Sequence, residues 1–155
     1  MAWADNASLR LDYENEVQPD AILFVDAAHG GRCRISGDDF LEGPPELVVE
    51  VSGSSVSFDM NTKLRVYRRN GVQEYLVLLS QEQRVVWHVL TGGEYQVLEA
   101  DEGGILRSQI FPGLWLHAEH FWAGDLAGLM AVLNQGLASQ DHVDFVAHLT
   151  TTGGA

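Results

Sequence analysis

Pro44-Pro45-Glu46-Leu47-Val48-Val49-Glu50-Val51-Ser52 constrains the architecture more than any other run in the chain. Paired prolines stop any helix from entering it. Leu47 to Val51 is then a nearly continuous β-branched run, the pattern of a strand covered on both faces. Ser52-Gly53-Ser54-Ser55 breaks the strand. Side chains alternate, so Leu47, Val49 and Val51 share one face while Val48, Glu50 and Ser52 share the other. In a central strand Glu50 is therefore a carboxylate among apolar groups, a placement that costs several kcal/mol unless compensated. Protonation, a salt bridge or a bound cation would each compensate it.

Upstream, Ala21 to Val25 follows Pro19-Asp20 and reads as a short buried strand, bounded behind by Gly30-Gly31. Gly37 to Pro45 reads as a loop. Downstream, the spacing predicts a helix from about Phe58 to Asn70, with Ser55 or Ser57 as N-cap and Gly71 at its end. Glu74 to Leu79 is another strand. Arg84 to Leu90 and Glu94 to Leu98 form a hairpin around Thr91-Gly92-Gly93, and Ile105 to Leu116 holds two extended pieces split by Pro112-Gly113. From Asp125 the period becomes helical, with Leu126, Leu129, Met130, Leu133 and Leu137 at three- and four-residue steps, and a last helix spans His142 to Leu149. There is no internal repeat. The order of elements predicts an α/β (α+β) sheet with helices packed on it.

A second residue breaks a local rule. On the wheel of the predicted helix Met60, Leu64 and Tyr67 form a stripe, and Lys63 falls inside the apolar arc between Val66 and that stripe. It either snorkels to solvent or points at Glu50. Asp20 adds a second acid at the mouth of the adjacent strand. Two acids and a lysine around one point suit metal-dependent phosphodiester hydrolysis. Carboxylates hold a hard divalent cation, the cation lowers the pKa of an attacking water, and a lysine positions that water. Spacing alone leaves a plainer alternative open, in which Asp20 caps a turn and Glu50 and Lys63 are simply paired.

The wording of the chain goes further. Gln-Pro-Asp-Ala-Ile-Leu-Phe-Val (18–25), Pro-Pro-Glu-Leu-Val-Val-Glu-Val-Ser (44–52), Asp59 with Lys63 and Tyr67, and Gly-Val-Gln-Glu-Tyr-Leu-Val (71–77) resemble the Uma-type family of restriction endonucleases in the PD-(D/E)XK nuclease superfamily. Gly93, Tyr95, Ser108 and Phe-Pro-Gly-Leu-Trp-Leu (111–116) continue the likeness. It assigns residues 10–123 to a restriction-endonuclease-like domain, 124–149 to a C-terminal helical extension of that domain, and 1–9 and 150–155 to tails. The resemblance implies a mixed central sheet flanked by helices. It also implies a magnesium- or manganese-dependent endonuclease acting on DNA, with Asp20 and Glu50 as metal ligands. The superfamily's basic motif sets its lysine two residues after the strand acid. That position is Ser52 here, and Lys63 on the following helix fits the lysine's place. Family members usually carry a further helix and a pair of strands before the Pro-Asp motif, whereas this chain starts almost at it. A rival reading follows: a shortened, non-catalytic relative serving as a binding or assembly module.

Charge bears on the same question. The 155 residues carry a net charge of −13, which repels a phosphate backbone. Yet four of the nine basic residues, Lys63, Arg65, Arg68 and Arg69, fall in one segment, either a local patch for DNA or a solvated helix face. Other polar signals are weaker. His117 and His120 lack the further ligands that zinc needs and read as an exposed turn. His88 reads as structural, and Trp87, Trp115 and Trp122 as core or interface aromatics. Cys33 lies between Arg32 and Arg34, which would lower its pKa. A single cysteine and the lack of a secretory signal at Met1 to Ser8 point to the cytoplasm. Missing first strands would leave a sheet edge near Ala21 to Val25 or Leu47 to Val51. Together with the leucine stripe from Leu126 to Leu137, that edge predicts a homodimer.

Overall fold

The computed structural model describes residues 1–5, 8–12, 15–37, 40–53 and 58–152. The chain divides into two compact units, Met1–Val97 and Leu98–Ala155. In chain order the first contains β1 (Ala2–Asp5), β2 (Leu9–Asp12), β3 (Asn15–Val17), β4 (Ala21–Phe24), a 3-10 turn (Ala27–His29), β5 (Arg34–Ile35), β6 (Leu41–Glu42), β7 (Leu47–Ser52), α1 (Phe58–Arg69), β8 (Glu74–Leu79), β9 (Arg84–Thr91) and β10 (Glu94–Val97). Six of these strands form one mixed sheet in the order β1-β4-β7-β8-β9-β10. Only β7 and β8 run parallel among its neighbours, and α1 makes the crossover that a parallel pair requires. A smaller sheet has the order β3-β2-β6-β5.

Burial explains why these segments form these elements. Val48 from β7, Tyr75, Val77 and Leu79 from β8, Ile22 and Phe24 from β4, and Tyr67 from α1 meet in one core with Leu9, Leu41 and Cys33. Helix α1 thus covers the face of β7 that carries Val48 and Glu50. Gly71 (φ +76°) ends the helix region, as its position suggests, and the β9–β10 turn uses two glycines with positive φ, Gly92 (60°) and Gly93 (85°). The N-cap candidates Ser55 and Ser57 lie outside the described residues.

The second unit pairs β11 (Ile105–Arg107) antiparallel with β12 (Trp115–His117), followed by α2 (Ala118–Trp122), α3 (Leu126–Leu137) and α4 (Gln140–Thr152). Asp125 caps α3 by accepting from the Gly128 amide at 3.0 Å. Helix α3 meets β12 closely at Gly136, where a Cβ would lie 2.3 Å from the Gly113 carbonyl oxygen and 2.8 Å from Trp115 Cγ. Phe111 and Phe145 meet edge to face at 6.1 Å. Among the described residues no helix is long and apolar enough to cross a membrane.

Several expectations change. Residues 1–9 are not a tail: Ala2–Asp5 is a strand of the main sheet, paired antiparallel with β4, and Leu9 opens β2. Helix α4 likewise runs through Thr152, into the segment read as the C-terminal tail. The loop from Gly37 to Pro45 contains β6, which pairs with β2 and β5. Neither β4 nor β7 is an edge, because β1 flanks the first and β8 the second, so the edge argument for a homodimer falls. Coverage of β7 on both faces ends before Val51, which is 56% exposed.

Candidate active site

Glu50 sits on β7 facing α1 and is 5% exposed. Two side chains from consecutive turns of α1 compensate its charge. Lys63 Nζ donates to Glu50 Oε2 at 2.9 Å, and the Tyr67 hydroxyl donates to Oε1 at 2.7 Å. The i,i+4 spacing places both donors on the one helix face that lies against the strand. Tyr67 is fully buried, its ring tilted 54° against Tyr75 at 5.0 Å, whereas the Lys63 side chain remains 26% exposed. Lys63 therefore does not snorkel away. It spans from the helix to the buried carboxylate.

Asp20 stands immediately before β4. The β4–β7 register pairs Ala21 with Val49, and one further antiparallel step sets Asp20 across from Glu50. Directly opposed residues on an antiparallel pair project to the same face. One carboxylate oxygen of Asp20, Oδ2, accepts the Val51 amide at 2.7 Å and so adds a rung to the ladder where the backbone pairing stops. The far end of the same strand pair is closed in the same way. Glu46 is 5% exposed, and its Oε2 accepts the Val25 amide at 2.8 Å, with Arg32 Nε 3.9 Å from its other oxygen.

The donor set is chemically suited to a hard divalent cation. Asp20 and Glu50 supply carboxylate oxygens, and each oxygen has two lone-pair sites, so a single hydrogen bond does not exhaust it. Among the described residues no group of three or more His, Cys, Asp or Glu is placed to hold a metal ion. Any cation at this point would rest on two carboxylates, with water completing its shell.

The remaining signals resolve into structural roles. Of the four clustered basic residues, Lys63 is engaged by Glu50, Arg68 pairs with Glu94, and Arg69 pairs with Asp12 at 3.1 Å. Arg65 is exposed. A groove of about 510 Å³ runs past Arg65, Arg68, Arg69 and Glu94, and a larger one of about 810 Å³ is lined by mutually paired charges that include Arg10, Glu16, Arg34 and Glu42. Neither groove takes in Asp20 or Glu50. Cys33 is a correction: it is fully buried, and burial followed by the nearby Glu46 charge pushes its thiol up to about 11. His88 stacks on Tyr75 at 5.9 Å, and burial holds its pKa below the usual 6.5. His117 is not in an exposed turn. It is half-buried and caps α2, with Nδ1 accepting the His120 amide at 3.3 Å. His120 Nδ1 lies 2.9 Å from Asp125 Oδ2. Trp87 is a core residue whose indole donates to the buried Glu74 at 3.2 Å, and Arg107 stacks over Trp115 at 3.8 Å.

Glu50, Lys63 and Asp20 stand out in the sequence, whereas the Tyr67 hydroxyl and Glu46 do not. The signal for Tyr67 is its position one turn after Lys63. For Glu46 it is strand parity, since Glu46, Val48 and Glu50 alternate onto one side.

Residues 2–119 match the Uma2 family model, described as "Putative restriction endonuclease". The chain belongs to the Uma2 family. The match begins within β1, so the strands ahead of the Pro-Asp motif are part of the Uma2 region. A crystal structure described as a "putative nuclease belonging to DUF820" from Anabaena variabilis is similar over 78% of this chain and 67% of that chain, with TM-score 0.57 and 15% identity. At that identity the likeness shows the shared fold, a mixed sheet with helices, as the sequence predicts. No curated protein matches the chain significantly.

Proposed function

We propose that this Uma2 member is a magnesium- or manganese-dependent endonuclease that hydrolyses phosphodiester bonds of DNA. In this reading Asp20 and Glu50 hold the cation and Lys63 orients the attacking water. The observation that carries it is the Lys63–Glu50 contact at 2.9 Å, with Asp20 across from Glu50 one step beyond the last β4–β7 pair. When bound, the cation would lower the pKa of a water and screen the phosphate. The chain's own residues do the rest. Glu50 keeps Lys63 beside the acids, where its ammonium group offsets negative charge on the phosphate as it is attacked. Burial of the Glu50 side chain to 7% exposure strengthens that electrostatic effect. Exposed Arg65 at the edge of the 510 Å³ groove would meet the backbone locally, against a net charge of −13.

A second reading, a non-catalytic binding or assembly module, is favoured by a specific feature. Asp20 caps Val51 just as Glu46 caps Val25, and the Glu50 charge is paired with Lys63 within the fold. Calorimetric titration with manganese separates the two readings. Under the nuclease reading the wild-type chain binds one ion, and Asp20→Asn and Glu50→Gln each lose most of the affinity. Equal binding by wild type and Glu50→Gln removes the site and leaves the module.

A further inference from the structure

We propose that Tyr67 is a positioning residue that sets the orientation of the Glu50 carboxylate, an inference resting on the reading of Glu50 as a cation ligand. The two donors to Glu50 differ in kind. Lys63 reaches Oε2 through four methylenes and is partly exposed, so on its own it tethers one oxygen and leaves the group able to turn about that contact. The terminal torsion of a glutamate is broad and offers little resistance to such rotation. Tyr67 removes that freedom. Its hydroxyl holds Oε1 at 2.7 Å, and the ring that carries the hydroxyl is fully buried against Tyr75. An aromatic side chain has only two torsions, and both are locked by packing.

With Oε1 and Oε2 each held by a donor from α1, the plane of the carboxylate is fixed relative to β7, and with it the lone pairs that remain for a ligand. Asp20 lies on the opposite flank of that strand, beside β4. Its own Oδ2 is held by the Val51 amide. Both acids are thus oriented before any ion arrives, one by helix α1 and one by the backbone of β7. Groups that orient a metal ligand by hydrogen bonding contribute about 10- to 100-fold to affinity. Pre-organisation of this sort acts by removing the ordering cost from the binding step. A tyrosine that serves the core alone would alter stability and leave the affinity of the folded protein untouched.

The test uses the full chain and manganese alone, with affinity read by calorimetry and ion coordination by electron paramagnetic resonance. Tyr67→Phe keeps the ring and deletes the donor; the expected result is a 10- to 100-fold weaker Kd. Tyr95→Phe is the matched control, because its hydroxyl donates to the Val72 carbonyl at 2.8 Å in the same unit and does not touch Glu50. It should bind manganese within about twofold of wild type, because the bond it loses goes to the Val72 carbonyl and not to Glu50. Replacing Tyr67 with 4-aminophenylalanine restores a para N–H donor at nearly constant volume. It should recover most of the affinity, and it supplies the answer if the phenylalanine variant fails to fold. A folded Tyr67→Phe that binds like wild type, while Glu50→Gln does not bind, overturns the role of Tyr67 alone. A 4-aminophenylalanine variant as weak as Tyr67→Phe does the same. Wild-type protein that binds no manganese, or binds it as Glu50→Gln does, overturns the ligand reading and the inference with it.

Discussion

Deleting the Lys63 charge is the perturbation whose size follows most directly from the geometry. At 2.9 Å two unit charges attract by roughly 6 kcal/mol at an effective dielectric of about 20. Withdrawing both ions from water takes back several kcal/mol. The net value is that of a charge-assisted hydrogen bond, about 1.5–3 kcal/mol. Lys63→Met does more than lose that bond, because among the described residues it leaves Glu50, with a side chain 7% exposed, only the Tyr67 hydroxyl as a donor. Breaking a fully buried pair costs about 3–5 kcal/mol, and the 26% exposure of Lys63 lowers the expectation to roughly 2–4 kcal/mol. In a chain of this size that corresponds to a drop in Tm of roughly 5–12 °C. Glu50→Gln keeps an acceptor for Tyr67 and removes the charge, so Lys63→Met on that background should cost far less. Urea unfolding of wild type, both single variants and the double variant, at pH 7 with chelator present, gives the coupling directly. We expect about 1.5–3 kcal/mol. A coupling below about 0.5 kcal/mol, the level of an exposed ion pair, would refute the account of Glu50 as a buried charge held by Lys63.

Cys33 should resist a thiol reagent in the native state and react at once in urea. Its raised thiol pKa also means the folded chain retains a proton that the unfolded one releases, so stability should fall as pH rises from about 9 to about 11, and Cys33→Ala should flatten that slope. His88 works in the opposite direction. Its depressed pKa means the unfolded state takes up the proton first, so stability should be lost as pH falls through the ordinary value of 6.5, and less so in His88→Phe. Gly136→Ala would place a methyl 2.3 Å from the Gly113 carbonyl oxygen, forcing α3 off β12 at a cost of about 1–3 kcal/mol. Faster amide exchange in Leu126–Leu137 would report it, and unchanged protection there would contradict the packing.

The parts of the fold legible in the sequence are those whose residues carry a strong period or a strong break. β4, β7 and β8 are apolar runs of four to six residues, and the β9–β10 hairpin is announced by Gly92-Gly93. Helix α3 combines leucine spacing with a capping aspartate. Strands β5 and β6 have two residues each, too short for any period, and β1 is Ala-Trp-Ala-Asp, four residues of which every second one is exposed. Such segments become strands because a neighbour is already in place, which is information that the segment itself does not hold. The candidate site divides along the same line. Glu50 and Lys63 are visible because each is charged where the pattern calls for an apolar residue. Tyr67 fits its apolar stripe, and only its place one turn after Lys63 points to an engaged hydroxyl. Cys33 misleads because neighbouring residues in extended chain face opposite ways. Arg32 turns to the Gly71 carbonyl and Glu46, Arg34 turns to Glu42, and the thiol points into the core.

Hydrolysis of DNA by Asp20, Glu50 and Lys63 acting together can be read in a nicking assay. Supercoiled plasmid is incubated with wild-type chain, Asp20→Asn or Lys63→Met in magnesium, manganese or chelator, and the relaxed and linear forms are followed with time. Wild type should cleave in either metal and not in chelator, and neither variant should cleave although Lys63→Met still binds manganese. Cleavage by Lys63→Met at the wild-type rate, or no cleavage by a wild-type chain shown to bind manganese, would rule out these three residues as a nuclease centre.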